Sequence, residues 1–114
     1  MFARTSDGIT TVTLERIFGV ECGDALHRTV VDLLEDGQRA FIIDLARVTR
    51  VDAAAVGELA RAFTTVSANG GGLVLVVGCA QIRRLLDLTR LTTFVPVFPS
   101  IAEASARLAP IASC

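Results

Sequence analysis

The 114-residue chain has no lysine, tryptophan or tyrosine, and each absence removes something a function would need. Without Trp or Tyr it lacks the large rings that stack best on exposed bases, and its six Phe residues fall mostly in apolar surroundings that read as core. All 11 basic residues are arginines, scattered singly apart from Arg83-Arg84, and the net charge is −1. No global field therefore draws nucleic acid or anionic lipid. Histidine occurs once, as His27, and cysteine three times, as Cys22, Cys79 and Cys114. A structural zinc site needs several close ligands, and a serine or cysteine nucleophile needs a neighbouring base. Cys22 and His27 stand about 140° apart around a helix, so they do not face each other. His27 reads as a rim residue of that helix, and the cysteines as reduced thiols of a cytoplasmic protein. Long apolar runs are also missing. The stretch from Leu73 to Val77 lies between glycines and is far too short to cross a bilayer. Residues Met1 to Thr5 carry no apolar core of a secretory signal. The expectation is a protein with no metal, no cofactor, no catalysis and no membrane insertion.

What remains is 52% apolar and 20% charged, the composition of one compact domain over residues 1–114. Strands and helices alternate along it. Phe2 to Thr5 reads as a short strand, Asp7-Gly8 as a hairpin turn, and Ile9 to Arg16 as a half-buried strand with Val12 and Leu14 inward. A helix starts near Gly23-Asp24, with Leu26, Val30, Leu33 and Leu34 as its buried stripe and Gly37 as its C-cap. Ala40 to Leu45 reads as a strand covered on both faces. Asp52 is an N-cap for a second helix with Val56, Leu59, Phe63 and Val66 inward. Leu73 to Val77 is the next buried strand. A third helix turns Ile82, Leu85 and Leu86 inward. Val95 to Phe98 is the last strand, placed at an edge by Pro96, where it could pair with a second copy of the chain. Ser100 and Glu103 form a capping box for a fourth helix with Ile101, Ala104 and Leu108 inward, limited by Pro110. The order ββαβαβαβα predicts an α/β fold: a mixed, mostly parallel sheet with an N-terminal hairpin, four helices and right-handed crossovers.

Several features suggest chemistry and read more simply as structure. Asn69-Gly70-Gly71-Gly72 runs from helix to strand and lacks the lysine of a phosphate loop, so it reads as a helix stop and tight turn. Glu35-Asp36 and Arg83-Arg84 read as solvated helix surface. Asp44 and Asp52 stand at the carboxyl end of a central strand and at the following helix start, where ligands gather in open parallel sheets. Together they could hold a cation or act as an acid–base pair. As a loop hydrogen bond and a helix cap they need no ligand, and that reading is preferred, with the location kept as functional.

Three segments resemble one family. Phe41-Ile42-Ile43-Asp44-Leu45-Ala46-Arg47-Val48-Thr49-Arg50-Val51-Asp52 is similar to the strand and loop that lead into the Asp-Ser-Ser-Gly signature of STAS domains (sulfate transporter and anti-sigma factor antagonist). Asn69-Gly70-Gly71-Gly72-Leu73-Val74-Leu75-Val76 is similar to the turn and strand after that family's helix. Ile82-Arg83-Arg84-Leu85-Leu86-Asp87-Leu88-Thr89, with Leu91 and Phe94, resembles its next helix and loop. The resemblance covers nearly the whole chain in order. It implies a bacterial anti-anti-sigma factor, which docks an anti-sigma factor, often a serine kinase, and so frees a sigma factor. The implied docking surface comprises Gly19, Val20, Thr49, Asp52, Ala53, Ala54, Ala55, Val56 and Gly57.

The chain departs from the family at the switch itself. The signature serines correspond to Ala53 and Ala54, and the first glycine to Ala55. Gly19 stands where the family often has an aspartate, and Arg90 where it often has a glycine. Ala53 has no hydroxyl and cannot accept the phosphate that inactivates such proteins by adding about −1.5 to −2 charges. Three readings follow. The chain is a constitutive antagonist; or it serves another assembly, such as a lipid-transport ABC system, as an accessory subunit; or phosphorylation has moved to a nearby hydroxyl, for which Thr49 is the best placed.

Overall fold

The computed structural model describes residues 2–18 and 20–112. Gly19 and Cys114 lie outside the described residues, as do the side chains of Val20 and Cys22. The hairpin is present: β1 (Phe2–Ser6) pairs antiparallel with β2 (Ile9–Thr13). Asp7 and Gly8 both take positive φ, 54° and 79°, which is the type I′ turn that matches the twist of a two-residue hairpin. β2 then pairs parallel with β4 (Ala40–Asp44), and β4 with β6 (Gly72–Val76). β7 (Val97–Phe98) closes the other side, so the sheet runs β1-β2-β4-β6-β7.

Alternation along β4 and β6 explains why both faces need cover. Phe41, Ile43, Leu45, Leu73 and Leu75 point into one core, and Ala40, Ile42, Val74 and Val76 into another, as the two-residue period of a strand requires. The first core is roofed by α1 (Val20–Glu35), α2 (Ala53–Ala68) and α3 (Ala80–Leu88). The second is roofed by α4 (Ile101–Ala112) alone, through Ala104 and Leu108. Thr10, fully buried in β2, has its hydroxyl 2.8 Å from that of Thr5 on β1, so the polar group is paired rather than orphaned.

Several sequence expectations need correction. The second strand does not reach Arg16. It stops at Thr13, and Arg16–Phe18 forms a separate strand, β3, that pairs parallel with β5 (Val48–Val51) in a small second sheet. Neither β3 nor β5 was expected, since segments of three and four residues carry too little periodicity to read. The first helix begins at Val20, not at Gly23-Asp24. The last strand shrinks to Val97–Phe98, because residues 91–93 wind into a short 3-10 turn after α3. Ile101 is 43% exposed. It sits in the first turn of α4, before Ala104 and Leu108 take up the sheet contacts. Pro110 lies inside α4 rather than ending it. A proline there removes one backbone donor near the helix end, while Ile111 still packs on the second core.

Both long helices stop in the same way. Gly37 and Gly70 take φ of +94° and +77°. Gln38 N–H donates to Leu33 O and Gly71 N–H to Val66 O, while Gly37 N–H donates to Leu34 O and Gly70 N–H to Ser67 O. This pair of reversed bonds is the Schellman motif, with glycine at the left-handed position. Gly71, next in line, has a different constraint: a Cβ added there would collide with the Arg39 carbonyl oxygen and lie 2.8 Å from a Val66 methyl. We expect Gly71→Ala to destabilise the fold by about 1–3 kcal/mol, the usual range for overpacking. A lowered midpoint in urea denaturation checks this, and an unchanged midpoint would refute it.

Candidate functional site

The site is built where β4 ends. Leu14 N–H donates to Asp44 O and Leu45 N–H to Val76 O, which finish the ladder on both sides of the strand. The Asp44 carboxylate, largely buried, then accepts from Ala46 N–H at 2.9 Å, and Val48 N–H donates to Leu45 O. These two bonds turn the chain out of the main sheet, the Asp side chain imitating a backbone acceptor. The chain continues as β5, with Val48 buried and Thr49 and Arg50 exposed.

Asp52 takes extended backbone angles and its Oδ1 accepts from Ala55 N–H at 2.8 Å. It is the N-cap of α2, satisfying one of the amides that the first helical turn leaves without a partner. Asp44 and Asp52 therefore each hold a backbone amide, in keeping with the structural reading of both. Among the described residues no group of three or more His, Cys, Asp or Glu side chains gathers as a metal site would require.

α2 divides the candidate docking residues by direction. Ala55 and Val56 point into the core beside Leu59, Ala62 and Val66. Asp52, Ala53, Ala54 and Gly57 are exposed, and so is Thr49. A surface of small side chains thus flanks the helix start, while Ala55 and Val56, expected to belong to it, anchor it from below. Gly57 has open space around a Cβ added to it. Packing gives no reason for glycine there, although glycine costs a helix interior about 0.5–1 kcal/mol relative to alanine.

The β3–β5 ladder joins the two halves of the expected surface. Ile17 pairs with Arg50 and Phe18 with Val51, so the chain that enters α1 at Val20 runs beside the chain that enters α2 at Ala53. The sequence showed both segments but not this pairing; the apolar pairs Ile17-Phe18 and Val48/Val51 were its only local sign. Arg47 and Arg50, both exposed, border the junction and escaped the sequence reading. His27 stands apart: it is half-buried on α1, its Nε2 3.4 Å from Thr65 Oγ1 on α2. Cys79 is a free, half-buried thiol just before α3. No described helix is long and apolar enough to cross a membrane.

The architecture is a layered α/β domain in which the exposed junction between β5 and α2 carries small side chains. The chain belongs to the STAS domain family, whose model matches residues 3–104. A Thermotoga maritima protein that carries the provisional name of an anti-sigma factor antagonist is 24% identical over 99 residues, covering 86% of this chain and 88% of that one. Among solved structures, a Thermotoga maritima protein with the same provisional name superposes with a TM-score of 0.85 at 22% identity, over 93% of this chain and 92% of the other. An anti-sigma factor antagonist from Mycobacterium paratuberculosis superposes with a TM-score of 0.83 at 21% identity, over 94% and 91%. The mixed, mostly parallel sheet with four helices is the fold they share.

Two substitutions separate capping from surface. Asp52→Ala should cost about 1 kcal/mol of stability, the usual loss of an N-cap. Gly57→Ala should add roughly 0.5–1 kcal/mol. Chemical denaturation of both variants checks the signs, and a destabilised Gly57→Ala would reveal a packing role that the open space does not suggest.

Proposed function

We propose that the chain is an anti-sigma factor antagonist that docks a kinase-type anti-sigma factor through residues 49–57 and the adjoining start of α1, and that no serine switch operates on it. It works by binding and not by catalysis, without a cofactor, in the bacterial cytoplasm. Its effect on transcription is indirect: sequestering the anti-sigma factor leaves a sigma factor free.

The observation that carries this reading is the exposed alanine at the first position of α2. Ala53 follows the Asp52 cap on the open side of the helix, where the family resemblance puts the phosphorylated serine. An alanine keeps the surface small and uncharged, as an unmodified serine nearly does. It cannot take up a phosphate, whose charge and bulk would oppose docking and would also lie beside the Asp52 carboxylate. The antagonist is then permanently competent, and control passes to its abundance. The names of the relatives at 24% identity and below point in the same direction, as does the helix-interior Gly57 on the same exposed stretch.

Two outcomes test the proposal. Incubation with a kinase-type anti-sigma factor of the same genome and ATP should leave the intact mass of the chain unchanged; a stoichiometric gain of phosphate would move the switch to another hydroxyl, Thr49 first. Ala53→Glu places a carboxylate at the centre of the surface and should abolish binding in calorimetry, with the melting temperature preserved. An unchanged affinity would place the working surface elsewhere.

A further inference from the structure

The two faces of the main sheet are covered unequally. Five strands at roughly 4.8 Å spacing make a sheet about 20 Å wide, and a helix is about 10 Å across. α1, α2 and α3 share one face, whereas α4 alone lies on the other, chiefly on β4 and β6. β1, two strands away from β4, is exposed at all five residues. Its ladder decides which of them look to the α4 side. Ile9 packs on the second core, so Thr11 and Thr13 share its face, and so do their partners across the ladder, Arg4 and Phe2. Side chains alternate along a strand, and residues directly opposite share a face. Phe2 and Arg4 therefore stand on the α4 side at the margin that α4 does not roof.

Helical phase shows what α4 turns towards that margin. Ala104, Leu108 and Ile111 meet the sheet. Arg107 lies on the flank towards β7, beside Phe94 and Pro96. At about 100° per residue, Ile101 and Ser105 fall on the opposite flank, towards β2 and β1. Phe2, 49% exposed, and Ile101, 43% exposed, thus border the same gap. The outer side of α4 carries Ala102, Ala106 and Ala109, all exposed. One molecule therefore has a sheet margin without a helix and a helix whose outer side is small enough to lie on a second sheet.

A second copy supplies both at once. A two-fold axis parallel to the strands, beside α4, puts each α4 over the other copy's β1 in one shared middle layer. It leaves every height along the strands unchanged, and the charges match at that height. Arg4 is level with Thr11. Leu108 and Ile111 lie against Gly72, which is level with Ile9. From Leu108 up to Glu103 the helix climbs about 7.5 Å, and from Ile9 to Thr11 the strand climbs about 7 Å. Arg4 and Glu103 are both exposed and in no ion pair among the described residues. Glu103 is on the Arg107 flank, one turn away from it, so within one copy α4 stands between Glu103 and Arg4. Across the axis, β1 of the other copy passes over that flank.

We propose that two copies of the chain pack face to face through the α4 side of the sheet, with Ile101 meeting its own copy at the axis and Arg4 of each copy pairing with Glu103 of the other. The net charge of −1 sets no general repulsion between them. α2 lies on the opposite face of the sheet, so the inference does not rest on the docking function proposed above, and residues 49–57 stay open on both outer layers.

Sedimentation equilibrium of the whole chain under reducing conditions, from micromolar to hundreds of micromolar, should show a monomer passing into a dimer. Arg4→Glu and Glu103→Arg, both surface changes that should leave the circular dichroism spectrum unaltered, should each weaken the dimer at least tenfold. Ile101→Arg, which sets two like charges at the axis, should do the same. An equimolar mixture of Arg4→Glu and Glu103→Arg should recover the original affinity, because each copy then meets the opposite charge at both pairs. A chain monomeric throughout, a dimer indifferent to these substitutions, or two charge variants that fail to recover on mixing would each overturn the proposal.

Discussion

The carboxylate of Asp44 determines where the chain leaves the main sheet, and with it where the start of α2 lies. β4 is buried along its whole length and satisfied by β2 and β6 on either side, so its chain has no freedom until the last residue. There the Asp44 side chain takes Ala46 N–H and the backbone bends away. The bend delivers Val48–Val51 to Arg16–Phe18, and Asp52 follows at once as the cap of α2. A carboxylate at the end of a central strand invites a catalytic interpretation. Its hydrogen bond explains it as a turn-former, and the consequence for function is positional: the start of α2 is held at the open end of the sheet beside the entry to α1.

Most of the fold was legible because its long elements carry strong patterns. The hairpin could be read from Asp7-Gly8, the buried strands from unbroken apolar runs between turn signals, and the helices from their stripes, with Gly37 and Asp52 marking an end and a start. The two short strands β3 and β5 could not be read. Their stability comes from a pairing across some thirty residues of sequence, and three or four residues cannot show a period. The first helix was started too late because Val20 and its neighbours lie beyond its recognisable stripe, whose first member is Leu26. At the site, Asp52 was legible as a cap from residue type alone. Val56 was read as inward from its helical stripe and yet grouped with the docking residues, and Ala55 was not separated from the outward Ala53 and Ala54, since adjacency in sequence suggested one surface where the helix makes two.

α2 connects the two ends of the molecule. Its first turn presents the small exposed side chains of the proposed docking surface. Its last turns, through Phe63 and Ser67, line a groove beside β6. A rigid helix of 16 residues packed on α1 and β6 holds these surfaces at a fixed separation.

The most direct test of the account is a map of the docking surface by amide chemical-shift changes, recorded on the intact chain as a kinase-type anti-sigma factor is added. The largest changes should fall on residues 16–20 and 49–57, the two segments that the β3–β5 ladder brings together, with Ala53 and Ala54 among them. Changes confined to other parts of the molecule, with these residues silent at saturation, would contradict it.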